Sequence, residues 1–116
     1  MSYTPKVLVS QQYVENSATL KYTSPATADG GKGTWIDKAT FANPTAGSAT
    51  VSVYIVPLSG SVSDATLAIP PLSIAAGGTL SISDLAGKFI AAGSAIHWVA
   101  SAASTINGAI NGREVT

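Results

Sequence analysis

The sequence predicts a single all-β domain, an antiparallel β-sandwich of jelly-roll-like type, with seven or eight short strands. Three observations lead to this prediction. Apolar and polar residues alternate in several short segments, as they do along half-buried strands. β-Branched residues dominate these segments, and clusters of Gly, Pro, Ser and Asn separate them at fairly regular spacing. The length of 116 residues suits one hydrophobic core.

The clearest segment is residues 39–58, which read ATFANPTAGSATVSVYIVPL. Val51, Val53 and Ile55 fall on one side of an extended chain, and the alternate residues fall on the other side. The turn-forming residues 43–48 lie between two apolar runs. We therefore expect a long hairpin here, on which the rest of the sheet forms.

The other strands are predicted from shorter alternating segments. They are residues 6–10, 18–23, 34–41, 65–69 with a continuation at 72–74, 79–82, 95–103 and 109–115. Glycines at 108 and 112 are expected to weaken or bend the last strand. Apolar groups at both Trp35 and Ile36 suggest a bulge that shifts the register. Residues 83–91 are the one plausible helical piece, a turn or two at most, because Gly87 lies inside it.

The chain divides into residues 1–17, an N-terminal arm with the first short strand, and residues 18–116, the sandwich domain. Within the first part, residues 1–5 are expected to form a flexible or partner-bound arm, and residues 11–17 a loop.

Four residues are candidates for contact with a partner: Tyr3, Pro5, Tyr13 and Trp35. The first three make the N-terminal arm adhesive, although a frayed chain end is the alternative. Trp35 lies at a loop edge, where a binding role and a core role are both open. Trp98 lies within an apolar segment, so we expect it in the core.

The amino-acid composition limits which classes of partner the chain can bind. Charged residues make up only 10% of the chain, against roughly 25% in an ordinary soluble domain, and the formal net charge is zero. The six basic residues are scattered, which argues against nucleic acid as a partner. No apolar stretch reaches the ~20 residues of a membrane helix, so we expect no membrane contact. So few charges indicate either a neutral coat or a surface covered by neighbours in an assembly.

The sequence contains no pattern that demands catalysis. There is no cysteine and only one histidine, His97, so no metal or cofactor site is expected. A Ser-His-Asp arrangement around His97 remains formally possible, but no G-x-S-x-G motif frames a serine. The six carboxylates are spread along the chain, and only folding could pair two of them as in a glycosidase. Residues 26–33 are glycine-rich, but a strand-like segment follows them, where a phosphate loop requires a helix. We therefore expect a protein that is not an enzyme.

A series of segments resembles small virion proteins of tailed bacteriophages. The segments are LKYTSPA at 20–26, KATFAN at 38–43, VSVYIVP at 51–57, IAAG at 74–77, DLAG at 84–87, AGS at 92–94 and NGREVT at 111–116. The resemblance covers roughly residue 18 to the end. It implies a β-sandwich with a structural role, either as a decoration (cement) protein on the head shell or within the tail apparatus, and it transfers no functional residues.

The expected function is therefore that of a head decoration protein that binds the outside of the capsid and staples neighbouring capsid subunits. Its partners would be the major capsid protein or other virion proteins, with further copies of itself in a homo-oligomer. Its location would be the virion, after assembly in the host cytoplasm. A tail, neck or fibre-associated virion protein of the same fold is the second possibility. A carbohydrate-binding module that uses Trp35 and nearby tyrosines is the third.

Overall fold

The computed structural model describes residues 2–116 and confirms the all-β prediction. These residues form nine β-strands and two single 3₁₀ turns, and they contain no α-helix. The strands are β1 (Tyr3–Tyr13), β2 (Thr19–Thr23), β3 (Gly33–Ala42), β4 (Ala49–Val56), β5 (Leu67–Ile74), β6 (Thr79–Ser81), β7 (Lys88–Ile90), β8 (Ala95–Ala100) and β9 (Asn107–Val115). The 3₁₀ turns are Thr27–Asp29 and Asp64–Thr66.

Two antiparallel sheets form the sandwich. The five-stranded sheet has the order β1-β9-β3-β6, with β7 also paired to β3, and the four-stranded sheet has the order β2-β8-β4-β5. The first half of the chain pairs with the second half in reverse order, so each strand pair encloses the next one along the sequence. These pairs are β1–β9, β2–β8, β3–β6 and β4–β5. Two four-stranded sheets with this nesting make a jelly roll, and the short β7 is an addition to it.

The hairpin predicted for residues 39–58 is wrong. β3 lies in the five-stranded sheet and β4 in the four-stranded sheet, so the connection crosses the sandwich. Asn43 explains the crossing, because its amide is almost fully buried and donates to the carbonyl oxygens of Gly47 and Ile74 at 2.8 and 2.9 Å. Its side-chain oxygen accepts from the backbone N–H of Thr45 at 3.0 Å. The turn residues were identified correctly, but they join two sheets.

The N-terminal prediction also differs from the structure. We expected an arm at residues 1–5 and a loop at residues 11–17, whereas β1 runs without interruption from Tyr3 to Tyr13, so the loop prediction holds only for residues 14–17. It pairs with β9 along its whole length, with register shifts after Val7 and Val9. The polar residues Gln11 and Gln12 looked like a loop in the sequence, but an edge strand needs few apolar side chains once its backbone is paired. Met1 lies outside the described residues.

The helical turn predicted for residues 83–91 is absent. Turns occupy the first part of this segment, and Lys88–Ile90 forms β7. The backbone N–H of Gly87 donates to the carbonyl oxygen of Ile36 at 2.6 Å, so the segment bonds to β3 and not to itself as a helix would. Leu85, which is fully buried, fixes the segment against the core.

The core lies between the sheets and is centred on Trp98, as predicted, with Phe41 beside it. Their rings meet edge to face, with centroids 5.7 Å apart. The row predicted to face inward on β4 is confirmed only in part. Val51 and Val53 are fully buried, whereas Ile55 is partly buried and Val56, from the opposite row, is buried at 5% exposure. The bulge predicted near Trp35 is confirmed, since the register between β3 and β9 shifts between Ile36 and Lys38.

Candidate partner-binding face

The outer side of the five-stranded sheet presents a row of large side chains. The row crosses four strands. Trp35 on β3 is directly opposite Phe89 on β7 and, on its other side, Arg113 on β9. Arg113 is in turn directly opposite Pro5 on β1. Directly opposed residues of antiparallel strands share one side of a sheet. The chain neighbours of Trp35, Thr34 and Ile36, are fully buried, so Trp35 and its row face outward.

We call this surface the aromatic face and define it by Tyr3, Pro5, Trp35, Phe89 and Arg113. Tyr3 joins it because it precedes Pro5 by two residues on β1 and therefore points to the same side. Tyr3 is 54% exposed and Phe89 44% exposed, while Trp35 is half-buried. Isolated exposed apolar side chains are ordinary, but a contiguous group of aromatic rings on one sheet is a candidate contact surface.

Contacts within the face hold the aromatic side chains in place. The ring centroids of Trp35 and Phe89 are 4.9 Å apart, with the ring planes tilted by 55°. Gly33 makes room for this pair, since a Cβ at that position would lie 2.1 Å from Phe89 Cζ. Its φ of +131° is also one that other residues rarely adopt. The Phe89 ring therefore covers Gly33 of β3 and lies beside Trp35.

Arg113 is the polar centre of the face. Its Nε donates to both carboxylate oxygens of Asp37, at 3.0 and 3.1 Å, and its Nη2 lies 3.0 Å from Oδ1. Its guanidinium carbon lies 5.9 Å from the centroid of the Tyr3 ring. An ion pair this exposed adds little to folding stability. Its effect is to orient the guanidinium before any partner arrives.

A shallow depression of about 360 Å³ lies beside Arg113. Its lining residues come from three neighbouring strands: Pro5, Lys6, Val7, Asp37, Asn111 and Gly112. Carboxylate and amide groups thus border an apolar floor next to the aromatic rings. The depression is open to solvent and can accept a protruding side chain or a small polar ligand.

The edge of the same sheet is blunted by proline. Ser2 and Thr116 exchange both backbone hydrogen bonds, at 2.7 and 2.9 Å. Along an antiparallel ladder, hydrogen-bonded residue pairs alternate with pairs that are not hydrogen-bonded. Counting from the hydrogen-bonded pair of Ser2 and Thr116, the pair of Pro5 and Arg113 is one without hydrogen bonds. The backbone nitrogen of Pro5 therefore faces the open edge of the sheet. Pro5 therefore removes an outward donor that an added strand would need. A partner is expected to contact the side of this sheet, not its edge.

The comparisons with known proteins add no relative. No family model, curated protein or solved structure matches this chain. In the part of the chain that the structure describes, no helix is both long and apolar enough to cross a membrane, and no three potential metal ligands lie together.

The structure brings together three of the four candidate contact residues. Tyr3, Pro5 and Trp35 lie on the aromatic face. Tyr13 is ten residues further along β1, or about 33 Å at the rise of a strand. Whether these residues contact a partner stays a prediction. Asp37, Phe89 and Arg113 were missed, because the sequence assigned Phe89 to a helical turn and gave no sign that residues 37 and 113 meet.

Two polar networks link the two sheets of the sandwich. In the first, Tyr22 donates to Glu114 Oε2 at 2.5 Å, which leaves its oxygen to accept from the Thr34 hydroxyl at 3.0 Å. Ser24 then donates to Thr34 at 2.7 Å, and Lys6 Nζ lies 3.3 Å from Glu114. Burial, with the carboxylate of Glu114 as a further cause, raises the pKa of Tyr22 well above its usual range. These groups bond to one another and stabilise the fold.

In the second network, Glu15 accepts from Trp98 Nε1 at 2.8 Å and from Lys21 Nζ at 2.9 Å. Partial burial acts to raise the pKa of Glu15, but the hydrogen bonds from Lys21 and Trp98 outweigh it and lower the pKa below its usual value. Lys21 also donates to Gln12 on β1 at 2.7 Å, so the network ties the edges of the two sheets together.

His97 lies on the outer side of the four-stranded sheet. Its directly opposed neighbours are Leu20 on β2 and Tyr54 on β4, not the serine and aspartate of the alternative catalytic arrangement. Its Nδ1 is buried and has no hydrogen-bond partner among the described residues. Burial lowers the pKa of His97, because the charged imidazolium loses solvation there.

Proposed function

We propose that this chain is a structural protein of a tailed-bacteriophage virion and not an enzyme. In this proposal it is a head decoration protein that binds the outside of the capsid and joins neighbouring capsid subunits. The observation that carries a binding role is the aromatic face, and the sequence resemblance supplies the kind of particle. The jelly-roll order agrees with this assignment only as an analogy, since the fold occurs in viral capsid proteins and in lectins alike.

The composition of the aromatic face is that of a protein-binding surface. Trp, Tyr and Arg are the residue types enriched among those that dominate binding energy. Here Trp35 is held by Phe89, and Arg113 is held by Asp37, so little side-chain freedom is lost when a partner binds. The neighbouring depression can take a side chain of the capsid protein.

The few charges of the chain fit a role in a crowded assembly. A nearly neutral surface approaches neighbouring subunits without strong repulsion. Binding of many copies to assembled capsid would stabilise the shell by mass action, because the bound state exists only on intact particles. The proposed location is therefore the outside of the virion, after folding in the host cytoplasm.

The test uses capsids that lack decoration and the purified chain. We expect the chain to co-sediment with the capsids and to raise the temperature at which they disrupt. Tyr3→Ser should weaken this binding by about 10-fold or more, because it removes an exposed ring of the aromatic face. Tyr13→Ser is the comparison variant. Tyr13 has the same residue type on the same strand and is 52% exposed against 54%, but it is the one candidate contact residue outside the aromatic face, so its loss should leave binding unchanged if the face makes the contact.

Two outcomes would contradict the proposal. One is that the chain does not bind the capsids. The other is that Tyr13→Ser and Tyr3→Ser weaken binding equally, which would remove the aromatic face as the contact surface. Binding to purified tails or necks instead of heads would favour the second candidate, a tail, neck or fibre-associated virion protein, which could use the same face.

A carbohydrate-binding module is the candidate from another class. The observation that favours it is the depression bordered by Asp37 and Asn111 beside exposed aromatic rings, since sugars bind to aromatic surfaces flanked by planar polar groups. Retention on immobilised polysaccharide that is lost in Asn111→Ala would select this function, and retention unaffected by that change would not.

A further inference from the structure

The opposite side of the sandwich also presents a continuous surface. A row of four side chains crosses its strands. His97 on β8 is directly opposite Leu20 on β2 and Tyr54 on β4. Tyr54 is in turn directly opposite Leu67 on β5. The chain neighbours of His97, Ile96 and Trp98, are fully buried in the core, so the row faces outward. We call this row the neutral face. Leu20 is 53% exposed at one end of it.

Charge is segregated between the two sheets. The strands of the five-stranded sheet carry Lys6, Asp37, Lys38, Lys88, Arg113 and Glu114. The four strands of the other sheet carry a single charged residue, Lys21, and its ammonium is bound to Glu15 and Gln12. The neutral face therefore consists of aliphatic side chains with one tyrosine and one histidine.

We propose that the neutral face binds the neutral face of a second copy of this chain in a two-fold symmetric dimer. In a two-fold contact each surface meets itself, so any charge near the axis faces a like charge. A surface without charges escapes that repulsion, and homodimer interfaces are accordingly more apolar than those between different proteins. The aromatic face, with Arg113 and Asp37 at its centre, suits a different partner.

Size and edge structure agree with contact between sheet surfaces. The molecule measures 45 × 26 × 20 Å, so its broad sides can supply the roughly 800 Å² per partner of a stable interface. Pairing of β5 with another strand is hindered by Pro70 and Pro71, which lie within this edge strand. The dimer would expose one aromatic face on each outer side. This deepens the proposed function, since a protein that joins two capsid subunits needs two binding surfaces, but the dimer itself does not depend on it.

The test measures the mass of the purified chain by sedimentation equilibrium. We expect twice the 11.6 kDa of one chain, with a dissociation constant at or below about 10 µM. Leu20→Glu places a charge on the neutral face and should weaken the dimer by about 100-fold or more. Leu67→Glu, at the other end of the row, should do the same. Tyr13→Glu is the control, because Tyr13 is 52% exposed but lies on the five-stranded sheet.

Each outcome decides the inference, and circular dichroism of every variant reports whether it folds. A wild-type chain that is monomeric at about 100 µM would overturn it. So would a dimer that survives both Leu20→Glu and Leu67→Glu, or one that Tyr13→Glu abolishes. Capsid binding is measured separately with the wild-type chain, so a wild-type dimer that does not bind capsids would refute the proposed function and leave the dimer standing.

Discussion

Replacement of Gly108 by alanine tests the packing between β9 and the core. Gly108 is directly opposite Phe41, and a Cβ at residue 108 would lie 2.4 Å from Phe41 Cδ1 and 3.1 Å from Trp98 Cζ3. Carbon atoms pack at about 3.5–4.0 Å, so the Phe41 ring would have to move by about 1 Å. It has little room, because Phe41 and Trp98 are both fully buried and in contact with each other.

The expected effect is a loss of stability. Overpacking of a well-packed core costs about 1–3 kcal/mol, and the reduced freedom of the unfolded chain on Gly→Ala returns about 0.4–1 kcal/mol. The difference between these two ranges is about 0–2.6 kcal/mol. Because the clash is with a fully buried ring, we expect Gly108→Ala to lie in the upper part and to lower the free energy of unfolding by about 1–2.5 kcal/mol. Gly47→Ala is the matched control: a Cβ there meets nothing within 4 Å, so its stability should be unchanged or slightly higher.

The assay is urea unfolding at one fixed protein concentration, followed by tryptophan fluorescence with Trp98 as the buried reporter. The midpoint should fall for Gly108→Ala, with little change in the slope. If Gly108→Ala proved as stable as the wild type or as Gly47→Ala, the close contact of Phe41 with the β9 backbone would not exist in solution.

Two further predictions concern buried polar groups. Tyr22→Phe removes the donor to Glu114 and should cost about 1 kcal/mol in the same urea assay, and an unchanged midpoint would show that this hydrogen bond is not formed. Burial lowers the pKa of His97, so the unfolded state takes up a proton there more readily than the folded state does. Above the unfolded-state pKa of about 6.5, His97 is neutral in both states and does not reduce the free energy of unfolding. As pH decreases from there toward the folded-state pKa, the unfolded state takes up the proton first, so the free energy of unfolding falls. His97→Gln should flatten the dependence of unfolding free energy on pH between about 5 and 7, and an identical slope in wild type and variant would show that His97 is solvated in the fold.

The elements of the sheet were mostly predictable from local pattern. Alternation in residues 51–56 placed Val51 and Val53 in the core, and apolar groups on both sides of β3 indicated its bulge. The failures came where tertiary contacts outweighed local signals. Residues 88–90 became a strand because β3 offered backbone partners, although Ser83 and Asp84 resembled a helix cap.

The role of β9 shows the same limit. Its glycines suggested a weak terminal strand, yet β9 lies between β1 and β3 and is paired on both sides. Gly108 leaves space there for the ring of Phe41, which cannot be inferred without knowing which strand lies opposite.

The candidate site was predictable only in part. Large exposed apolar groups near the N-terminus drew attention to Tyr3 and Pro5, and Trp35 stood out by size. Their assembly with Phe89 and Arg113 depends on pairing among four strands far apart in sequence. No spacing rule within a single segment can reveal such a row.

The amino-acid sequence by itself determined that this chain forms strands, where most of the turns lie, and that residues such as Val51, Val53 and Trp98 face the core. Those properties follow from backbone preferences and from alternation over a few residues. Only the tertiary structure decided which strands pair, that β3 and β4 belong to different sheets, and that aromatic and charged groups collect on one side of the sandwich. The physical reason is that alternation sorts side chains into an inner and an outer set, while partner choice depends on how the whole core packs.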